Sequence, residues 1–196
     1  MAVVNDPAIR RAPNPTARNR TLAGWFAVLL LLGVSAQAQP VPREFQVKAA
    51  FLFHFAQFVE WPPTAFAASN SPLCIGVLGN NVFGAAIEET VRGETIQKRK
   101  LTVRHFRHWK DVKDCHLLFV SNSETERTDE ILAHLKAQPI LTVSDLESFS
   151  RRGGMIQFYL QGPQLRFEIN SKAAEEAGLK LSSHLLNLGK IVKAEN

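Results

Sequence analysis

The sequence predicts a single three-layer α/β domain, a mainly parallel sheet with helices on both faces and a C-terminal antiparallel hairpin. Three observations carry this. From Leu73 to Val143, short apolar runs alternate with helical segments, the pattern of parallel strands covered by helices. After Asp145 the alternation stops, and two strands are separated only by Gln161-Gly162-Pro163-Gln164, a turn of hairpin length. An aromatic helix precedes them all.

The first 38 residues stand apart from that fold. Arg10, Arg11, Arg18 and Arg20 form a basic leader, Leu22 to Val34 is an apolar stretch of 13 residues, and Ala36-Gln37-Ala38 is a small-x-small site. This is the anatomy of a secretory signal peptide, cleaved after Ala38; the alternative is an uncleaved anchor. Of 23 basic and 18 acidic residues in the chain, residues 39–196 keep 19 and 17. The basic excess is therefore largely discarded with the leader, and a general nucleic-acid surface, which needs a surviving excess, is excluded. The remaining 158 residues suffice for one core and are short for two.

Glu44 to Trp61 reads as a helix in which Phe45, Phe51, Phe53, Phe55 and Phe58 fall within 14 residues. Phe45, Ala49, Leu52, Ala56 and Val59 form one stripe, with Val47, Phe51, Phe55 and Phe58 beside it. Such a wide apolar surface is covered either on both sides within the domain or by another molecule, and a homodimer is one such cover. Pro62 and Pro63 end the helix. Strands are expected at Cys74–Leu78, Leu101–Phe106 (the more exposed one), His116–Val120 and Ile140–Val143. Helices are expected from Val82 to Val91 and from the Ser123-x-x-Glu126 capping box to Ala137. Met155–Leu160 and Leu165–Ile169 form the hairpin. Asn170 or Ser171 caps a helix ended by Gly178, and a last helix follows Ser182-Ser183, with Leu185, Leu188 and Val192 on one side.

The two cysteines, Cys74 and Cys115, both enter an oxidising compartment, and neighbouring parallel strands would put them at one sheet edge. They are expected to form a disulfide; the alternative is two buried free thiols. Gly79-Asn80-Asn81-Val82-Phe83-Gly84 has the glycine spacing of a phosphate loop but no following Lys-Ser/Thr, so it reads as a tight turn with at most weak ligand contact at the strand ends. Asp145 reads as a cap of the next turn rather than a catalytic carboxylate. The glycines of Arg151-Arg152-Gly153-Gly154 are expected at positive φ. Glu168 points away from Phe167 and Ile169, and is either solvated or part of a patch with Arg166. His184 opens the last helix, where it is either a plain exposed residue or, with Arg151, Arg152 or Lys180, a site for a small anionic or nucleotide-like ligand. Arg166, Glu168 and His184 are thus the candidates for partner or ligand binding. His105 and His108 lack further ligands, so no metal site, no cofactor and no catalytic set is expected.

Two stretches carry a resemblance. Lys48-Ala49-Ala50-Phe51-Leu52-Phe53-His54-Phe55-Ala56-Gln57-Phe58-Val59-Glu60-Trp61-Pro62 is one. The other runs from Val143-Ser144-Asp145 through Arg152-Gly153-Gly154-Met155-Ile156-Gln157-Phe158 and Arg166-Phe167-Glu168-Ile169-Asn170 to Ala177-Gly178-Leu179-Lys180-Leu181-Ser182-Ser183-His184-Leu185-Leu186. In these motifs the chain resembles the YfiR family over essentially everything after residue 43. The resemblance implies a periplasmic regulator, not an enzyme, that binds the sensor portion of an inner-membrane diguanylate cyclase and represses it. A sensor kinase as partner, a free-standing small-ligand sensor and a periplasmic enzyme are the competing readings. The family's better-known members carry a second cysteine pair, absent here, so a switch built on that pair is not expected.

Overall fold

The computed structural model describes residues 42–193; the expected leader, residues 1–38, lies outside them. Helix α1 (Arg43–Gln57) opens the described chain. It ends four residues earlier than the sequence suggests. Phe58 closes it by donating its backbone N–H to His54 and Phe55, and the chain becomes extended at β1 (Val59–Glu60). That strand pairs antiparallel with β9 (Lys180–Leu181).

The main sheet contains β2 (Leu73–Leu78), β3 (Thr95–Ile96), β4 (Arg99–Phe106), β5 (Leu117–Val120), β6 (Leu141–Ser144), β7 (Ile156–Gln161), β8 (Gln164–Ile169) and β10 (Lys190–Ile191). Their order is β10-β8-β7-β6-β5-β2-β4-β3. β2 sits between β4 and β5, parallel to both, and the parallel run continues through β6 to β7. The hairpin β7–β8 is antiparallel, as expected, and turns at Gly162 with φ 60°. β4 alternates in burial because only β3 lies beyond it. The α/β class, the parallel half and the added hairpin therefore stand as the sequence predicts.

The central strands are buried throughout because both faces are covered, and β2 and β5 are accordingly apolar. Leu73, Ile75 and Val77 of β2 join a core with α1 and α2 (Ala86–Val91). Cys74 and Leu78 face the other core, under α3 (Thr128–Leu135). On the first face α1 is covered by its own sheet. Phe55 stacks on Phe158 at 5.6 Å and meets Phe167 edge-on at 4.9 Å, while Phe51 contacts the same two rings at 5.8 Å each. The aromatic surplus is thereby used inside the domain, which removes the ground on which a homodimer was expected.

Two other expectations change. Ser123 does not cap a helix: residues Asn122–Arg127 form a 3-10 turn, and α3 begins only at Thr128. The Ser123 hydroxyl instead accepts from the Asn80 N–H at 3.0 Å. The last helix, α5 (Ser183–Leu188), is one and a half turns long and is capped by Ser182, which accepts from the Leu185 N–H. It stops at Gly189, where a Cβ would lie 2.6 Å from the Phe167 ring, and the chain runs on as β10 beside β8. Leu188 is left 57% exposed instead of packed. α4 (Ser171–Glu176) keeps its expected Asn170 cap and its end at Gly178, φ 75°.

Candidate functional site

Cys74 and Cys115 do share one end and one face of the sheet, since β2 and β5 run parallel with Ile75 opposite Leu117. They are not bonded. Both are buried free thiols, which corrects the expected disulfide. Cys115 lies on the bend entering β5, and its sulfur sits 3.1 Å from the carbonyl of its own strand residue Leu117. Burial pushes the Cys115 thiol well up, whereas a hydrogen bond from Cys115 pulls Cys74 down.

The neighbouring His116 is also buried. Its Nδ1 accepts from the Cys74 N–H at 3.1 Å, and its ring stacks on Phe66 at 4.3 Å. Burial lowers its pKa from the ordinary 6.5. The folded ring therefore resists a proton that the unfolded chain takes up, so stability is full above pH 6.5 and falls as pH drops below it. Denaturant midpoints measured between about pH 7.5 and 5.5 should decline for the native chain. The slope should be shallower in His116→Asn, whose amide oxygen can still accept from Cys74; an unchanged slope would mean that other groups set it.

Glu168 is not a surface residue. It is 8% exposed and accepts a short hydrogen bond from the Ser150 hydroxyl. Ser150 also donates its N–H to Gln157 Oε1 at 3.1 Å, an oxygen that lies 3.2 Å from the Ser150 hydroxyl, and its carbonyl accepts from Asn170 at 2.9 Å. The loop after β6 thus covers the face of β7 and β8 that period-two reasoning left to solvent. Removing Glu168 would take away the nearer of two acceptors around the buried Ser150 hydroxyl rather than alter a surface patch. Arg166, two residues earlier on the same face, is exposed and bonds Gln164 at 2.7 Å. His184 lies on the opposite side of the sheet, exposed, with its ring 4.8 Å from that of Phe58, the residue that closes α1. The three candidates therefore do not converge on one site.

Two arrangements escaped the sequence. Lys48, on the aromatic helix, is 2% exposed. Its Nζ lies 2.6 Å from Asp145 Oδ2 and 2.5 Å from Glu44 Oε1, which ties α1 to the carboxyl end of β6. Asp145 is therefore an ion-pair partner, and the turn after β6 is capped by Ser144, which accepts from the Leu146 N–H at 3.1 Å. The signal in the sequence is the pair Glu44 and Lys48, four apart, inside an apolar stripe.

The second is a cleft of about 710 Å³ at the carboxyl ends of β2 and β4. It is lined by the Gly79–Asn81 loop, the His105–Arg107 segment and the Ser123–Arg127 turn. Glu124 stands in it, 4% exposed, against Gly79 at φ 86°. The Gly79 loop is thus a tight turn, and it also walls a cleft. A smaller one, about 410 Å³, lies between α3 and α4, with Arg152 already paired to Asp129 at 2.8 Å. Among the described residues no group of three metal-ligating side chains occurs, and no helix is long and apolar enough to cross a membrane.

These features define a three-layer α/β domain whose polar side chains are spent on holding its loops, with one open strand-end cleft. The chain belongs to the YfiR/HmsC-like family, which matches it over residues 45–190. That is a family of regulatory proteins. Comparison with curated proteins gives no significant match.

Proposed function

We propose that this protein is a periplasmic regulator that binds the sensor portion of an inner-membrane diguanylate cyclase and represses it, after removal of residues 1–38. Family membership over residues 45–190 is the observation that carries this reading. The surface best suited to the partner is the sheet edge at α5 and β10. There Leu188 is 57% and Ile191 49% exposed, next to the exposed His184. A partner that covered these two side chains would take their apolar surface out of water. Arg166 is exposed on the other face and belongs to a different surface.

Leu188→Asp places a charge on that edge without disturbing a packed group, so the fold should lose no more than about 0.5 kcal/mol. Binding of the purified variant to the periplasmic domain of the cognate cyclase should fall by at least about tenfold, as expected for an apolar anchor of an interface. Unchanged binding would remove this edge from the interface. Absence of binding by the unaltered protein would remove the cyclase as partner and favour a sensor kinase.

A further inference from the structure

The charge of the chain is unevenly placed. Residues 98–114 hold seven of the 19 basic and two of the 17 acidic residues of the stretch 39–196, so this short segment is +5 and the remainder is −3. The segment is β4 with the turn before it and the 3-10 turn, Trp109–Asp111, after it. Lys98, Lys100, Arg104, Arg107, Lys110 and Lys113 are all exposed, and among the described residues none of these six forms an ion pair. They lie along one edge of the main sheet. Beyond β4 stands only β3, whose Thr95 and Ile96 pair with Lys100 and Arg99, so among the described residues no strand covers the outer side of Leu101–Phe106. Lys100 and Arg104 share one face of β4, by the period of two along a strand. Arg104 donates to the Lys113 carbonyl at 2.7 Å, which brings the chain after the 3-10 turn back against the strand. From Lys98 to Arg107 the edge is roughly 30 Å long, at about 3.3 Å per residue.

Unmatched positive charge at this density attracts an anionic occupant, and the surroundings decide which kind. A small anion needs donors that converge, whereas of the six cations only Arg107 lines either cleft described above. An acidic protein segment needs an apolar anchor beside its ion pairs. The exposed large apolar side chains among the described residues, Val47, Leu160, Leu188 and Ile191, all lie on other elements. A layer of lipid headgroups needs neither convergence nor an anchor, and each Lys or Arg brought to an anionic lipid surface strengthens binding roughly fivefold. Lysines on an edge strand also deter strand pairing, but Arg107, Lys110 and Lys113 lie outside β4. We propose that the β4 edge docks on a membrane surface rich in anionic phospholipid, its cations meeting the phosphodiester headgroups. This edge is at the opposite end of the sheet from β10, so docking leaves the surface proposed for the cyclase free. The inference goes beyond the repressor reading and does not depend on it.

Cosedimentation of the processed protein with vesicles tests it. Vesicles of phosphatidylcholine with about one third phosphatidylglycerol should bind at least about tenfold more tightly than phosphatidylcholine alone, and that preference should fade as salt screens the charges. Lys100→Glu combined with Lys113→Glu changes two exposed side chains that make no bond in the fold, and should weaken binding to the anionic vesicles by at least about tenfold. Lys136→Glu combined with Lys172→Glu makes the same change in net charge beside the α3–α4 cleft, and should weaken binding by less than about threefold. No preference for phosphatidylglycerol at low salt overturns the proposal. Equal losses in the two double variants also overturn it, because net charge and not this edge would then set the binding. If the edge variant keeps its vesicle binding but loses binding to the periplasmic domain of the cyclase in lipid-free solution, the edge belongs to a protein partner and the proposal is likewise wrong.

Discussion

Gly154→Val is expected to destabilise the protein by about 3 kcal/mol, the upper end for overpacking a core. For a domain of this size that is a fall in Tm of roughly 6–12 °C. A Cβ at Gly154 would lie 2.2 Å from two ring carbons of Phe149, a side chain that is fully buried. The ring has little room to yield. Phe149 belongs to the core under α3, and the next residue, Ser150, anchors Gln157, Glu168 and Asn170. Displacing Phe149 therefore disturbs the polar network that covers β7 and β8. Gly153 offers the contrast: its φ is 104°, but nothing lies within 4 Å of an added Cβ. Gly153→Ala should cost only backbone strain, about 1–2 kcal/mol. Thermal melts of both variants test this, and a Gly154→Val protein as stable as Gly153→Ala would mean that Phe149 does not pack on the glycine.

Asp145→Ala is the second large effect. It leaves the Lys48 ammonium, whose side chain is 3% exposed, with only Glu44, which is 45% exposed. Severing a buried pair by removing one partner strands the other charge. The expected loss is about 2–4 kcal/mol, below the full range because Glu44 remains and Asp145 is itself partly solvated. Adding Lys48→Met should recover most of that loss, because the double variant has no buried charge left to satisfy. Denaturant unfolding of the native chain, both single variants and the double variant gives the coupling directly. Additive losses would mean that Lys48 and Asp145 do not act as a pair.

How much of this was legible in the sequence depended on whether the deciding contact was local. β2 and β5 are readable because a strand covered on both faces is apolar throughout, whereas in β6 only Leu141 and Val143 carry that signal, Thr142 and Ser144 being buried polar residues bonded to neighbouring backbone. The Asn170 cap and the Gly178 stop were readable because they act within a few residues. Glu168 was misjudged because alternation along β8 says which face a residue points to, not what covers that face. The covering loop at Ser150 is 18 residues away. Ser123 carried a sound capping signal, but its hydroxyl serves Asn80, 43 residues earlier. The polar run Ser121-Asn122-Ser123-Glu124-Thr125 gave no hint that Glu124 is buried, because that burial comes from the Gly79 turn folding against it. α5 ended early because Gly189 passes close over Phe167 and Ile169, a constraint set by the hairpin. The cysteine pair was placed at the right end of the sheet by strand order, whereas the orientation of the Cys115 sulfur toward Leu117 was a local bend that no spacing rule contains.

The role proposed for this YfiR/HmsC-like chain is repression of a membrane diguanylate cyclase. The measurement that tests it most directly is cellular cyclic-di-GMP in strains with the gene deleted, restored, or replaced by Leu188→Asp, each in a background that carries or lacks the cognate cyclase. Deletion should raise cyclic-di-GMP only where the cyclase is present, restoration should return it to the starting level, and Leu188→Asp should leave it high while the protein remains folded and abundant. A deletion that leaves cyclic-di-GMP unchanged in the presence of the cyclase would contradict the claim.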